Sequence, residues 1–399
     1  MNRSRNPIRA IQTLFSLYML IICSCSCKIE PEVLVFDPSG NYPEFPLSFN
    51  DVADISYIKL GGEKEGIFFS TIWDTGIYID HLHERIFVGK FNIGVLEFDI
   101  HGKFIRKLGR LGRGPGEYIT TFFYVLPEQE KVGIYDEGKN QFLIYNYLGD
   151  FLENESISVK LKPLFLSFLV QNNYLVVYSP HSESFYEGED RTVHYSEKTL
   201  DLIPLDAQGD ATIKDIHYEK PLVMPNDWGA DSRKIMLPGQ LFPSFSGLMM
   251  STYRSDTTYV IDKSFRWRPF LVNARHNGVD EGCLYPVAET RDYLFLSQQN
   301  NVQNRKMYYF AIDKNIKQAY KITTDESIPL PGYLQGKIQL ESGGLTKNPE
   351  YRFWELYPEE LKGTCYNHLP RELKALVDQC DEDSNPILML IKFKDLTHN

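Results

Sequence analysis

The chain has little cysteine for its length, and what it has is unevenly placed. Of the 6 cysteines in 399 residues, only Cys283, Cys365 and Cys380 lie beyond position 27. So few cysteines exclude a disulfide scaffold for a chain of this size. Cys365 and Cys380 could pair in an oxidising compartment, and buried free thiols are the alternative.

Blocks of basic residues are also absent. The chain has 42 Lys and Arg against 53 Asp and Glu, which gives a formal net charge of −11 at pH 7. Binding to nucleic-acid phosphates requires clusters of Lys and Arg. We therefore expect no nucleic-acid partner.

No apolar run is long enough to span a membrane, but a short one lies near the N-terminus at 11–22, after three arginines. A run of about a dozen residues fits the core of a signal peptide. Cys25 has Ile22 three residues before it and Ser24 directly before it, which is the arrangement of a bacterial lipobox. We predict that Cys25 is lipidated, and a plain cleaved signal is the alternative.

This prediction divides the chain into three parts. Residues 1–24 are a lipoprotein signal peptide, 25–50 are a lipidated N-terminus and spacer, and 51–399 are one domain. The protein is then expected in the cell envelope, anchored at the outer membrane on its periplasmic side or at the cell surface. Its lipid would be its only contact with the membrane.

Long helical periods are scarce, and short alternating segments are frequent. Aromatic residues make up 14% of the chain, with 27 glycines and 22 prolines, which is typical of an all-β protein with many turns. Segments 95–104 and 142–151, roughly 47 residues apart, share an alternation of apolar residues and a turn at Gly102 or Gly149. In both, an aromatic residue begins the next strand after the turn. This period indicates β-propeller blades.

We predict a single six-bladed β-propeller with four antiparallel strands in each blade. The remaining blades are indicated by strand segments at 174–178 with 193–195, 248–253 with 257–261, 293–297 with 307–312, and 387–393. Segment 55–60 alternates apolar and polar residues, as a strand does, but no neighbouring segment could pair with it. We therefore expect it to close the ring by pairing with the C-terminal strand. Pro370 precedes apolar residues at helical spacing, which predicts one short inserted helical region near 350–380.

Several segments together resemble a known family. The runs 107–118, 132–140 and 142–151 are similar to NHL-type propeller repeats. With 255–259 and the closing run 385–393, the chain resembles the exported six-bladed β-propeller lipoproteins of gut-type Gram-negative bacteria. The resemblance implies six blades and a lipid anchor, and it implies no catalytic residue.

Candidate ligand-binding residues lie in long loops. In a four-stranded antiparallel blade, the loop between the second and third strands shares one face with the blade-to-blade loop. Long loops on a rigid scaffold often form binding sites. On this face we predict contacts from Arg113, Glu117, Tyr118, Tyr186 and Trp228. Arginine can hold an anion through paired hydrogen bonds, and aromatic rings offer flat area to a sugar. Ordinary turn geometry at 109–118 and exposed acidic surface around Tyr186 are the alternatives.

No catalytic or metal-binding pattern is evident. His81 and His83 have alternate spacing, but we expect a solvated hairpin turn there, because a metal site needs three or four convergent ligands. The sequence therefore predicts a monomeric binding module for a glycan, peptide or partner protein, without a cofactor. The alternative is a propeller enzyme, a lactonase-type hydrolase or a lyase, with Ca or Zn in the central channel. The predicted innermost strands offer mainly Asp74 and aromatic residues for such a site.

Overall fold

The computed structural model describes much of the chain after the predicted anchor. The described residues are 33–47, 51, 53–69, 74–156, 167–171, 174–178, 192–194, 200–204, 212–214, 221–223, 240–251, 256–262, 267–274, 283–299, 307–322, 344–345, 351–363 and 366–394. Among them, no helix is both long and apolar enough to cross a membrane.

Most described strands belong to four-stranded antiparallel sheets that follow one another along the chain. Two strands precede them, β1 (Leu34–Phe36) and β2 (Ala53–Lys59). Sheet 1 contains β3 (Asp74–Asp80), β4 (Arg85–Lys90), β5 (Gly94–Asp99) and β6 (Phe104–Leu108). A short parallel pair follows, β7 (Arg110–Leu111) and β8 (Glu117–Tyr118). Sheet 2 contains β9 (Phe123–Leu126), β10 (Lys131–Asp136), β11 (Gln141–Asn146) and β12 (Phe151–Ser156).

The later sheets have the same form. Sheet 3 contains β13 (Ser167–Gln171), β14 (Tyr174–Tyr178), β16 (Leu200–Pro204) and β17 (Thr212–Lys214), and a separate pair joins β15 (Thr192–His194) to β18 (Pro221–Val223). Sheet 4 contains β19 (Gln240–Ser244), β20 (Gly247–Ser251), β21 (Thr257–Ile261) and β22 (Trp267–Asn273), and β1 adds a fifth strand that is parallel to β22. Sheet 5 contains β23 (Cys283–Glu289), β24 (Tyr293–Gln299), β25 (Met307–Asp313) and β26 (Gln318–Ile322). Sheet 6 contains β27 (Gly344–Leu345), β28 (Tyr351–Leu356) and β29 (Ile387–Phe393), with β2 as its outer strand.

The first strands of neighbouring sheets lie side by side. Strand β3 lies beside both β27 and β9, β9 lies beside β13, and β13 lies beside β19. Buried apolar clusters fill the space between sheets, for example Tyr118, Phe123 and Tyr145 between sheets 1 and 2. The chain is a β-propeller, as predicted. The described residues form six sheets of this kind, while the exact blade count stays a prediction.

The N-terminal strand closes the last sheet, which confirms the predicted ring closure. All seven residues of β2 pair antiparallel with β29, from Ala53 opposite Phe393 to Lys59 opposite Ile387. The predicted helical region is also confirmed. It consists of α1 (Pro358–Leu361) and α2 (Arg371–Val377), which lie between β28 and β29.

The two repeated segments have the same backbone geometry at the turn between the third and fourth strands. Gly102 has φ +86° and Gly149 has φ +87°, a region that glycine occupies without steric cost. In both sheets the pairing of the third and fourth strands shifts at the same place, at Glu97/Phe98 and at Ile144/Tyr145.

Two predicted features differ from the structure. Residues 33–47, predicted as part of a spacer, pack against sheets 4 and 5: Phe36 is buried and stacks on Tyr42, while Phe45 contacts Tyr293. In sheet 3, β14 pairs with β16, and the segment predicted to pair with it, β15, pairs with β18 instead. Three-residue strands such as β1 and β15 show too little alternation for a sequence pattern to assign their partners.

Cys380 is described as a buried free thiol. Its Sγ lies 3.2 Å from the Leu376 carbonyl oxygen. Burial raises the pKa of this thiol. Of the two alternatives for Cys380, the structure has the buried thiol, while Cys365 lies outside the described residues.

Candidate functional site

The strand order defines two faces of the propeller. We call the loop face the one that carries the loops between second and third strands and the connections between sheets. We call the turn face the one that carries the hairpin turns, such as 81–84 and 100–103 in sheet 1. Of the predicted binding residues, Arg113, Glu117 and Tyr118 belong to a described loop-face segment. The histidines His81 and His83 lie in the first hairpin turn, as predicted.

The connection from sheet 1 to sheet 2, residues 109–118, is the best described long segment of the loop face, and we call it the Arg113 loop. Its ends are held by the parallel pairing of β7 with β8. Inside the loop, Oε2 of Glu117 accepts a hydrogen bond from the Gly114 N–H at 2.7 Å, and Oε1 of Glu117 is paired with Arg110. The loop therefore has a fixed internal network.

Charge within the Arg113 loop is unevenly neutralised. The hydrogen bond from Gly114, together with Arg110, lowers the pKa of the Glu117 carboxyl, so this group stays ionised at neutral pH. Glu117 thereby neutralises Arg110. The exposed guanidinium of Arg113 has no polar partner among the described residues. It is the group of this loop that can take a new anionic partner.

Two residues of sheet 2 donate hydrogen bonds to the backbone of the Arg113 loop. Lys139, in the turn between β10 and β11, donates to the carbonyl oxygens of Gly114 at 3.1 Å and Glu117 at 3.3 Å. The Tyr145 hydroxyl donates to the Gly116 carbonyl oxygen at 2.6 Å. Arg113 therefore lies in a segment that is fixed at Gly114 and Gly116, which reduces the entropy lost when a ligand binds.

Tyr118 is buried and does not reach the surface where a ligand would bind. Its side chain is fully buried. The hydroxyl donates to the Leu108 carbonyl oxygen at 2.7 Å and accepts from the Val95 N–H at 3.0 Å. Tyr118 thus fixes the end of β6 and the start of β5 beneath the loop. Glu117 likewise uses both carboxylate oxygens inside the loop.

Tyr186 and Trp228 lie outside the described residues. The strands nearest to them in sequence are β15 and β18. Strand β15 lies in the connection between β14 and β16 of sheet 3, and β18 lies in the connection from sheet 3 to sheet 4. These strands pair antiparallel, with Thr192 opposite Val223.

Two exposed apolar residues of the loop face were missed by the sequence analysis. Phe91, in the turn between β4 and β5, is 47% exposed, and Ile119, directly after the Arg113 loop, is 40% exposed. A Cβ placed on Gly138 would lie 3.1 Å from the Ile119 side chain, so Ile119 packs against the turn that also carries Lys139. The position of Phe91 in a predicted turn, where an aromatic side chain is unusual, is the sequence signal that could have identified it.

A buried ion pair joins sheets 1 and 6 on the loop face. Lys90 and Glu355 pair directly although they are 265 residues apart in sequence, and both side chains are buried. The Tyr357 hydroxyl donates to the other oxygen of Glu355 at 2.9 Å. Nothing local in the sequence indicates this pair, because its partners meet only when the ring is closed.

The enzyme alternative requires converging ligands near the axis. Within the described part of the chain, no group of three His, Cys, Asp or Glu side chains could hold a metal ion. The described side chains of β9 are apolar or aromatic, and the side chain of Asp74 lies outside the described set. The Ca or Zn site of the enzyme alternative therefore stays a prediction.

Comparisons with known structures agree with the fold. A predicted exported protein of Bacteroides fragilis matches with a TM-score of 0.59 at 16% identity, over 91% of this chain and 100% of that chain. A DUF4221 family member from Bacteroides vulgatus matches with a TM-score of 0.49 at 10% identity, over 86% and 98%. A gluconolactonase from Xanthomonas campestris matches with a TM-score of 0.40 at 12% identity, over 92% and 100%. At 16% identity, the match with a TM-score of 0.59 concerns the fold and not the activity.

No curated protein is detectably similar to the chain. One family does match, under the description "Domain of unknown function (DUF4934)", and the match covers residues 33–392. The match begins one residue before β1, which pairs with sheet 4, and it ends within β29, the last strand of sheet 6. The chain therefore belongs to the DUF4934 family.

Proposed function

We propose that this protein is an exported, lipid-anchored binding module that holds an anionic group of a glycan, a peptide or a partner protein on its loop face. The observation that carries the proposal is the exposed guanidinium of Arg113, which lacks a polar partner among the described residues and projects from an otherwise cross-linked loop. Guanidinium binds carboxylates and other oxyanions through two parallel hydrogen bonds.

The surroundings of Arg113 suit such a ligand. Glu117 does not compete for Arg113, because its two oxygens are used by Gly114 and Arg110. Ile119 offers apolar area on the adjoining turn. The proposed contact surface consists of Arg113, Ile119, Tyr186 and Trp228, and it does not include Tyr118, which is buried.

The export and anchoring part of the proposal rests on the N-terminal sequence. Cys25 follows Ile22 and Ser24 at the end of a basic and apolar leader. Lipid anchoring at the outer membrane would keep the propeller close to the membrane while the loop face stays open to ligands.

An array screen tests the binding function. The purified protein is applied to arrays of acidic and neutral glycans and of peptides, beside its Arg113→Ala and His83→Ala variants. We expect hits that carry an anionic group, a loss of signal for Arg113→Ala and an unchanged signal for His83→Ala, which lies on the turn face. Hits made only of neutral ligands, equally strong with Arg113→Ala, would refute the proposed role of the loop.

A further inference from the structure

The turn face carries large apolar side chains at the tips of its hairpins. Among the described residues, the five most exposed large apolar side chains are Leu82 at 74%, Leu148 at 71%, Val35 at 70%, Ile316 at 66% and Phe245 at 56%. All except Val35 lie in turn-face hairpins, in sheets 1, 2, 4 and 5. Turn positions usually hold Gly, Pro, Asn, Asp or Ser, so this pattern indicates a surface that is covered in use.

The tips of sheets 1 and 2 are held together by a buried carboxylate. Asp80, at the end of β3, accepts hydrogen bonds from the Leu82 N–H at 3.0 Å and from the Tyr147 hydroxyl at 2.7 Å. The His83 ring is also bonded to Asp80 and packs edge-on against Tyr147. Leu82 and Leu148 are therefore presented by two adjoining and fixed turns.

Sheets 4 and 5 repeat this arrangement with other residues. Glu289, at the end of β23, is buried and accepts hydrogen bonds from Ser246 N–H at 2.8 Å and from Lys314 Nζ at 2.9 Å. The Lys314 ammonium also lies 5.2 Å from the centre of the Phe245 ring. Phe245 and Ile316, the latter in the same turn as Lys314, are thus a second fixed pair of apolar tips.

The direction of the N-terminal strand shows from which side the chain enters sheet 4. Strand β1 pairs parallel with β22, with Leu34 opposite Leu271 and Phe36 opposite Asn273. Because β22 is the fourth strand of sheet 4, it runs from the turn face to the loop face. The chain therefore reaches Leu34 from the turn-face side. From Cys25 to Val33 a chain of eight residues can reach at most about 29 Å.

We propose that the turn face lies on the lipid bilayer to which the anchor is attached, with the four apolar tips at the headgroup level and the loop face directed away from the membrane. The turn face is then a second membrane contact, beyond the lipid that the sequence alone predicts as the only one. The proposal rests on the lipid anchor of the proposed function. Apolar side chains at such tips can insert into the interfacial region of a bilayer, and the exposed cation of Arg291 beside Phe245 suits the phosphate level. A short tether that enters from the turn-face side favours this orientation. It also makes the bilayer the surface closest to the turn face.

Depth-dependent fluorescence quenching tests the orientation. The full lipidated protein is reconstituted in vesicles of phosphatidylethanolamine and phosphatidylglycerol that contain spin-labelled lipids with a quencher near the headgroup. An environment-sensitive dye is attached to Leu148→Cys or Ile316→Cys on the turn face, and to Phe91→Cys or Arg113→Cys on the loop face. Phe91 is the matched apolar control, and unsubstituted protein reports labelling of native cysteines.

We expect strong quenching and a blue-shifted emission for the dyes at 148 and 316, and neither change for the dyes at 91 and 113. Quenching at 91 and 113 with none at 148 would overturn the proposed orientation. An absence of quenching at all four positions would also overturn it and would indicate that another protein covers the turn face. Loss of the anchor is recognised separately, because a protein without lipid would not float with the vesicles at all.

Discussion

Gly102 lies directly against the backbone of Lys59, so that a Cβ on Gly102 would be 2.2 Å from the Lys59 carbonyl oxygen. Gly102 belongs to the third-to-fourth turn of sheet 1, and Lys59 ends the strand that closes sheet 6. The Gly61 N–H also donates to the Gly102 carbonyl oxygen at 2.8 Å. The equivalent Gly149 of sheet 2 faces the Arg106 side chain of sheet 1. The closing strand of sheet 6 therefore lies against the third-to-fourth turn of the next sheet, as β6 does, but through its backbone and not through a side chain.

The first prediction compares these two glycines. Both have positive φ, so alanine at either position should cost about 1 to 2 kcal/mol of the free energy of unfolding for the backbone conformation. Gly102→Ala should cost about 1 to 3 kcal/mol more, because its Cβ meets backbone atoms and not a flexible side chain. Urea unfolding of both variants measures the difference. Equal losses would show that Gly102 is not packed against the closing strand.

The second prediction concerns the N-terminal segment that packs on sheets 4 and 5. Phe36 is buried against Tyr42 and Phe310, so Phe36→Ala should lower the free energy of unfolding by about 3 to 5 kcal/mol. Its neighbour Val35 is 70% exposed, and Val35→Ala should change it by at most about 0.5 kcal/mol. Thermal and urea unfolding provide the measurement. If both variants were as stable as the unsubstituted protein, residues 33–47 would be a spacer after all.

The third prediction is a pH dependence at the Asp80 cluster. Burial raises the pKa of Asp80, but hydrogen bonds from Tyr147 and His83 outweigh this effect, and the net pKa is lowered. A carboxyl with a lower pKa in the folded state stabilises the fold above its unfolded pKa, and this stabilisation is lost as the pH falls through the folded value. Tyr147→Phe should therefore cost about 1.5 to 3 kcal/mol at pH 7, and the cost should shrink below about pH 4.

Tyr118→Phe is the matched control for this measurement. Tyr118 is also buried, but its hydroxyl bonds only to backbone groups of Leu108 and Val95. Its loss should cost about 0.5 to 1.5 kcal/mol at every pH. A Tyr147→Phe cost that stayed constant from neutral to acid pH would contradict the lowered pKa of Asp80.

The fourth prediction concerns the anchor. Cys25→Ala should abolish incorporation of labelled fatty acid and release the protein from the membrane fraction, because Cys25 has the lipobox context. Cys27→Ala is the control and should retain both properties. The opposite result for the two variants would mean that Cys27 carries the lipid.

Sequence patterns predicted the parts of this fold in which partners are close along the chain. The alternation and turns of sheets 1 and 2 are visible in residues 85–151, and the closing strand β2 was identified because it alternates without a neighbouring partner. The packed segment 33–47 was missed because β1 has three residues and pairs with a strand far away in sequence. The ion pair of Lys90 with Glu355 has no local signal for the same reason.

The candidate site was predictable only in part. The Arg113 loop could be recognised as a glycine-rich connection on the loop face, and Arg113 as a candidate ligand contact within it. The sequence could not show that Glu117 is occupied by Arg110 and Gly114, or that Tyr118 is buried. Such assignments depend on which neighbours fold back onto the loop, and here these are Lys139 and Tyr145 of sheet 2.

The most direct test of the proposed function is a calorimetric titration with a ligand identified by the array screen, using the unsubstituted protein and the variants Arg113→Ala, Trp228→Ala and His83→Ala. We predict that Arg113→Ala and Trp228→Ala each weaken the same ligand by about 1 to 3 kcal/mol with little change in Tm, and that His83→Ala binds normally. If His83→Ala abolished binding while Arg113→Ala bound normally, the ligand site would lie on the turn face, and the proposed function of the loop face would be wrong.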